Sequence, residues 1–386
     1  MFAKLISFFM SIIMFLIPWA NVPELDAKKD TWKTEYTNVF VHGLGGWGTY
    51  DIYYHAFPYW GVMGGDLMKY LNARGFDCVA ASVDPAGSAW DRACELYAQL
   101  TGTRVDYGKE HSERCNHKRY GKNYKYMPLI DKFDSENKIN LLGHSFGGAT
   151  VLQFLDLLAD GSDAEKALTP ADELSGLFTG GKADYVYSIT ALSAPMNGTT
   201  ATEAKKFIDA DPDATSAEKT VVALIAGLAY GTKDNRIHED TAGYDMELDR
   251  AMELLDTIET QPNVYYYSIP CCATETVDEI TTPKGDLIED IYEAASGRMV
   301  KITGYTDKGY YYDESWQPND GLVNTKSARA PFNAPQKDFD ENNVEIGVWN
   351  ILPTLEGDHM ALMGDFVHTR NIRQIYVDLL NTINAQ

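Results

Sequence analysis

Five short runs of the chain are apolar almost without interruption: "NVFVHG" (38–43), "DCVAASVD" (77–84), "KINLLGHS" (138–145), "DYVYSITALSAP" (184–195) and "NVYYYSIP" (263–270). Strands that are apolar on both faces belong to a sheet covered on both sides, usually a parallel one. Between them lie stretches of helical character. "GDLMKYLNARG" (65–75) and "TVLQFLDLLADG" (150–161) each end on a glycine stop. This alternation predicts an α/β fold, a mostly parallel central sheet with helices on both faces. One helical stretch, "EKTVVALIAGLAYG" (218–231), is apolar nearly all round between polar flanks. It fits either a buried core helix or a mobile lid over an apolar site.

The N-terminus has a different pattern. Lys4 precedes the apolar run "LISFFMSIIMFLIPWA" (5–20), and the chain turns polar near Glu24. A basic start and a short apolar run predict a secretory signal peptide over about residues 1–27, with an uncleaved anchor as the alternative. No linker or repeat divides the remainder, so residues 30–386 are expected to form one domain. The formal charge of −23 for the whole chain excludes nucleic acid as a partner and disfavours anionic membranes, but not neutral lipid. Five cysteines, two of them adjacent at Cys271 and Cys272, do not make a disulfide framework.

The sharpest motif is Gly143-His144-Ser145-Phe146-Gly147, placed between an apolar strand and a helical stretch. G-x-S-x-G in that setting is a nucleophile elbow, which exposes the serine hydroxyl at a helix N-terminus. Such a serine needs a histidine base and an acid later in the chain. His359 in "LEGDHMALMG" precedes the last helical stretch, where the base is expected. His238 sits in an acidic segment that looks like surface, and His368 is the weaker alternative. Asp320 in "WQPNDGLVNTKSA" is the preferred acid once a serine elbow demands one, although taken alone it is better explained by a turn role. Asp358 is next to the base and poorly suited to orient it. The oxyanion requires two backbone donors. Phe146 N–H follows the nucleophile, and Leu44 N–H lies in the Gly-rich loop "HGLGGWG" (42–48).

A second stretch, "VDYGKEHSERCNHKRYG" (105–121), carries His111 and His117 with Cys115 between them. Alone it fits a solvated loop as well as a metal site.

Together with "VHGLGGWG", "YWGVMGGDLMKYLNARGF", "WDRACELYAQLTGTRVDYGKEH", "LLGHSFGGAT", "SAPMNGTT", "GYDMELD" and "NDGLVNTKSARAP", these motifs make the chain resemble the thermophilic-bacillus and staphylococcal lipases, secreted α/β-hydrolases. The likeness covers nearly everything after residue 36. It implies the α/β-hydrolase fold, with a zinc-holding insertion at about 86–125 and a helical lid region at about 200–245. It gives Ser145, Asp320 and His359 the triad roles, and Leu44 and Phe146 the oxyanion donors. It also implies a structural zinc held by Asp91, His111, His117 and Asp245, leaving Cys115 unassigned. Two imidazoles and two carboxylates would close a tetrahedral shell. The calcium site of many relatives is doubtful here, because Ala361 stands where they carry a glutamate, and Asp365 alone makes no cage. The expected activity is hydrolysis of triacylglycerol esters at a lipid interface, through an acyl-enzyme. The alternatives are a short-chain carboxylesterase or phospholipase of the same fold, or a non-catalytic surface-binding relative. No protein partner is identifiable.

Overall fold

The computed structural model describes residues 35–61, 65–212, 214–231, 236–364 and 372–386. The signal-peptide reading, Asp365 and His368 therefore lie outside the described residues. Seven strands form the central sheet: β1 (Thr37–Val41), β2 (Cys78–Ala81), β3 (Ile139–His144), β4 (Val186–Leu192), β5 (Tyr265–Ile269), β6 (Gln336–Asp338) and β7 (Trp349–Ile351). Their order is β6-β7-β5-β4-β3-β1-β2, and every neighbouring pair is parallel. The five apolar runs became β1 to β5. β6 and β7, with three residues each, are too short to leave a periodic signature.

The helices that bear on the site are α1 (Ala89–Thr101), α2 (Lys109–Arg114), α3 (Phe146–Ala159), α4 (Ala201–Ala210), α5 (Ser216–Ala229), α6 (Asp290–Met299) and α7 (Ile372–Asn384). Side chains alternate across the pleat, so each strand feeds two cores. Val39, Val41 and Leu141 join Leu96, Phe154 and Leu158 of α1 and α3 on one face. Phe40 and Leu142 join Tyr376, Leu380 and Ile383 of α7 on the other. β3 is buried along its whole length, as a strand covered on both sides must be.

The chain runs outward from β1 to β2 and then returns to β3 on the opposite side of β1. In open α/β sheets, ligands bind in the crevice at the carboxyl ends of strands where the order reverses. The loop after β1, carrying Leu44, and the elbow after β3, carrying Ser145, meet at that place.

The segment between β2 and β3 contains α1 and a small hairpin, Arg104–Asp106 paired with Tyr120–Asn123, with α2 at its tip. The segment around 236–245 is stitched to it. Ile237 N donates to Cys115 O at 3.2 Å, and Ala242 N to Ala86 O at 3.0 Å.

Candidate active site

The elbow is shaped by contacts that admit only glycine. A Cβ on Gly143 would stand 2.3 Å from Gly147 O, and one on Gly147 would stand 2.2 Å from Val41 O. This packing turns the chain sharply from β3 into α3 and holds Ser145 at φ 56°, ψ −131°. Such strain in a non-glycine residue persists only where the surroundings impose it. Ser145 N donates to Leu192 O at 2.9 Å, tying the elbow to the end of β4.

His359, from the segment before α7, places Nε2 2.7 Å from Ser145 Oγ and Nδ1 2.8 Å from Asp320 Oδ2. Asp320 Oδ1 accepts the amides of Leu322 and Val323 at 3.0 and 2.8 Å, and Ser193 Oγ donates to Oδ2. Burial pushes the Asp320 carboxyl up. The facing His359 ring, the Ser193 hydroxyl and the Leu322 amide outweigh that and hold it below its usual range. His359 N also donates to Asp320 O at 2.8 Å, so these two residues are locked through backbone as well as side chain. Asp358 is engaged elsewhere, its carboxylate accepting the amides of Glu289 and Met360 at 3.1 and 2.9 Å. His238 is exposed and stacks on Tyr230.

Phe146 supplies the first amide of α3, and the opening amides of a helix have no partner within it. The Leu44 loop is braced on several sides. Arg92, fully buried, donates to His42 O, and Gly43 N donates to Tyr59 Oη at 3.1 Å. The Arg92 guanidinium also lies 5.0 Å over the Phe146 ring, so one cation touches both the Leu44 loop and the elbow. Tyr59 Oη in turn donates to His144 Nδ1 at 2.6 Å, and His144 Nε2 donates to His359 O at 2.9 Å. This chain fixes His144 as a neutral imidazole. Burial, then the neighbouring His359, pushes its pKa down to about 3.

Beside this centre, Asp91, His111, His117 and Asp240 turn their donor atoms toward one another, all within 4.8 Å. Asp91 is in the first turn of α1, His111 is on α2, and His117 lies in the hairpin tip. The rings present Nε2 inward, because His117 Nδ1 donates to Lys118 O at 3.0 Å and His111 Nδ1 faces Arg114 and Cys115. Asp240 Oδ2 and His117 Nε2 are buried without hydrogen-bond partners, as metal ligands would be, whereas Asp91 Oδ2 pairs with Arg236 Nη1 at 3.0 Å. The donor set fits a divalent cation of the zinc type.

Asp245, the fourth ligand implied by the resemblance, is not in this group. Its Oδ2 accepts Ala89 N at 2.7 Å, at the N-terminus of α1, and Asp240 takes its place in the cage. A carboxylate satisfied by a helix N-terminus has its own electrostatic reason to sit there. Cys115 lies behind the cage, 3.8 Å from the outward nitrogen of His111. Ala361 puts a buried methyl group at the position where a calcium-binding glutamate would be.

The family model described as "Lipase-like, C-terminal domain" matches residues 34–238 and 232–385. The chain belongs to this family. Lipase 2 of Staphylococcus aureus is 30% identical over 390 residues, covering 90% of this chain and 54% of that protein. The chain thus spans about half the length of the curated relatives it matches. Among solved structures, lipase 1 of Pelosinus fermentans superposes with a TM-score of 0.74 at 30% identity, covering 92% of this chain and 99% of that one. The lipase of Staphylococcus hyicus gives 0.74 at 26%, covering 95% and 99%. The lipase-like assignment and the α/β-hydrolase fold expected from the motifs therefore agree with these relatives.

Four residues of this lipase-like site escaped sequence reasoning: Tyr59, Arg92, His144 and Ser193. Each acts through a backbone group or a residue distant in sequence, so no local spacing announces it. Asp240 was passed over because "IHED" looks like ordinary surface. Its burial became visible only once Gly87 and Thr241 paired across the chain.

Proposed function

We propose that the chain is a serine ester hydrolase acting on neutral glycerides, with Ser145 as nucleophile, His359 as base and Asp320 as orienting acid. The observation that carries this reading is the continuous Ser145–His359–Asp320 contact at the switch point of the sheet. His359 takes the serine proton as Oγ attacks the ester carbonyl, and the Asp320 carboxylate stabilises the imidazolium that forms. The amides of Leu44 and Phe146 receive the oxyanion. The imidazolium returns the proton to the departing alcohol, and water then releases the acid from the acyl-enzyme.

A lid role for α5 is supported by its place. Ala229 at its end, with Tyr230, packs with Phe146 and Leu44, the two oxyanion donors, and Ser145 is only 6% exposed beneath. An apolar helix that covers a site and parts from it at an interface suits a water-insoluble ester. The four-residue cage is read as a structural zinc site. Zinc there would cross-link the insertion to the segment before Asp245.

The test compares emulsified long-chain triglyceride with soluble butyrate esters, for wild type and Ser145→Ala. Wild type should turn over both, with a rate that climbs once the ester forms an interface. Ser145→Ala should lose on the order of 10⁴-fold or more while staying folded. Turnover by the alanine variant would refute the triad, and a preference for soluble butyrate with no interfacial rise would favour a carboxylesterase.

A further inference from the structure

Ser193 is the residue at which the chain leaves β4, and its backbone is held at φ +47°, a region that favours glycine. The conformation is imposed from both sides. Ser193 N donates to Ile269 O at 2.9 Å, and the carbonyl of the preceding Leu192 accepts Ser145 N at 2.9 Å. The side chain is completely buried, and Oγ donates to Asp320 Oδ2, the same oxygen that faces His359 Nδ1. Glycine would occupy this backbone without strain, so what serine adds is its hydroxyl.

We propose that Ser193 is a positioning residue for the triad, its hydroxyl fixing Asp320 Oδ2 against His359. The proposal rests on the triad reading above. The end of β4 then braces both ends of the relay: Leu192 holds the nucleophile's amide, and Ser193 holds the acid. Asp320 has two amides on Oδ1 and, on Oδ2, one hydroxyl and one imidazole. Without the hydroxyl, the carboxylate would be free to rotate about the two amides, and the imidazole would lose its fixed direction. The same hydrogen bond helps hold the Asp320 carboxyl below its usual range, and it is charge-assisted, hence one of the stronger kind.

The experiment measures kcat, KM and the pH profile of kcat/KM on p-nitrophenyl butyrate, with thermal unfolding, for Ser193→Gly and Ser193→Ala. Ser193→Gly should lower the melting temperature less than Ser193→Ala does and leave KM unchanged, while kcat falls roughly ten- to hundredfold. Its acid limb should move to higher pH, because a carboxylate that has lost a donor holds the proton on His359 more tightly. Ser193→Ala should show the same kinetic loss with lower stability, since it keeps the strain without the hydrogen bond. In an Asp320→Asn background, Ser193→Gly should cost less than about twofold more. A glycine variant with wild-type kcat and an unmoved acid limb overturns the proposal, as does a full additional loss in the Asp320→Asn background. Retained turnover in Ser145→Ala would overturn the triad reading and this proposal together, which separates that failure from a failure of Ser193 alone.

Discussion

Asp240 Oδ2 and His117 Nε2 face each other across 3.4 Å in the protein interior, and neither forms a hydrogen bond. Two buried polar atoms without hydrogen-bond partners cost on the order of 1–3 kcal/mol each, and Arg236, whose Nε stands 3.7 Å from Asp240 Oδ2, offsets this less directly than a metal ion between them would. Elemental analysis of the dialysed protein should therefore find about one zinc per chain, with Asp240→Ala and His117→Ala depleted. Asp245→Ala should keep its metal and lose some stability, because the Ala89 amide at the start of α1 loses its acceptor while Ser88 still caps the helix. Chelation should lower the melting temperature of wild type and leave that of Asp240→Ala unmoved. A metal-free wild type, or depletion in Asp245→Ala but not in Asp240→Ala, would refute the cage.

In the proposed triad the Asp320 carboxylate orients the imidazole and does not itself react, so the role can be tested with little change of shape. Asp320→Asn should fold with similar stability and lower kcat by roughly 10⁴-fold, because the amide favours the wrong imidazole tautomer. Loss of a factor below about ten would mean that another group orients His359.

The residues of the proposed catalytic core announce themselves locally. Ser145 sits between glycines forced by backbone contact, and the strand before it is apolar on both faces. His359 and Asp320 are loop residues whose chain order the serine already dictates. The metal cage was half readable. Asp91, His111 and His117 fall in one insertion, but the fourth ligand arrives from a segment that strand pairing brings to it. Asp240 and Asp245 are both buried aspartates five residues apart, and only the competing helix N-terminus of α1 decides between them. Ser193 was unreadable for a related reason: its positive φ is a consequence of the surrounding fold, not of its own type.

Arg298 on α6 donates to Asp211 and, at 3.0 Å, to Glu218 in the first turn of α5. Glu218 also completes the capping box with Thr215, so α5 keeps its cap when the arginine is removed. Arg298→Gln should thus loosen the attachment of the helix without unwinding it. A partly exposed ion pair contributes on the order of 1 kcal/mol, which would raise the open population about fivefold. The expected result is faster turnover of soluble esters and a smaller rise at an interface. Unchanged kinetics on both substrates would show that α5 is not held shut by this clamp.

His42 and His144 are both buried as neutral imidazoles, and burial pushes each down to about 3 from an ordinary 6.5. His42 donates through Nδ1 to Gly43 O at 2.9 Å and accepts Val83 N on Nε2 at 3.2 Å, leaving no room for a second proton. Between pH 6.5 and about 3 the unfolded chain binds a proton at each histidine and the folded chain does not. Their contribution is complete above pH 6.5 and declines as the pH falls, by about 1.4 kcal/mol per pH unit for each histidine. Half-buried carboxyls such as Asp156, which desolvation and then Asp160 push up to about 7, act in the opposite direction over part of that range. The measurement is therefore a difference, the urea unfolding free energy of wild type and His42→Gln from pH 7 to 4.5. The variant should start less stable at pH 7, since it loses packing, and should then lose stability less steeply by about one proton's slope. Parallel curves would mean that His42 titrates normally in the folded state.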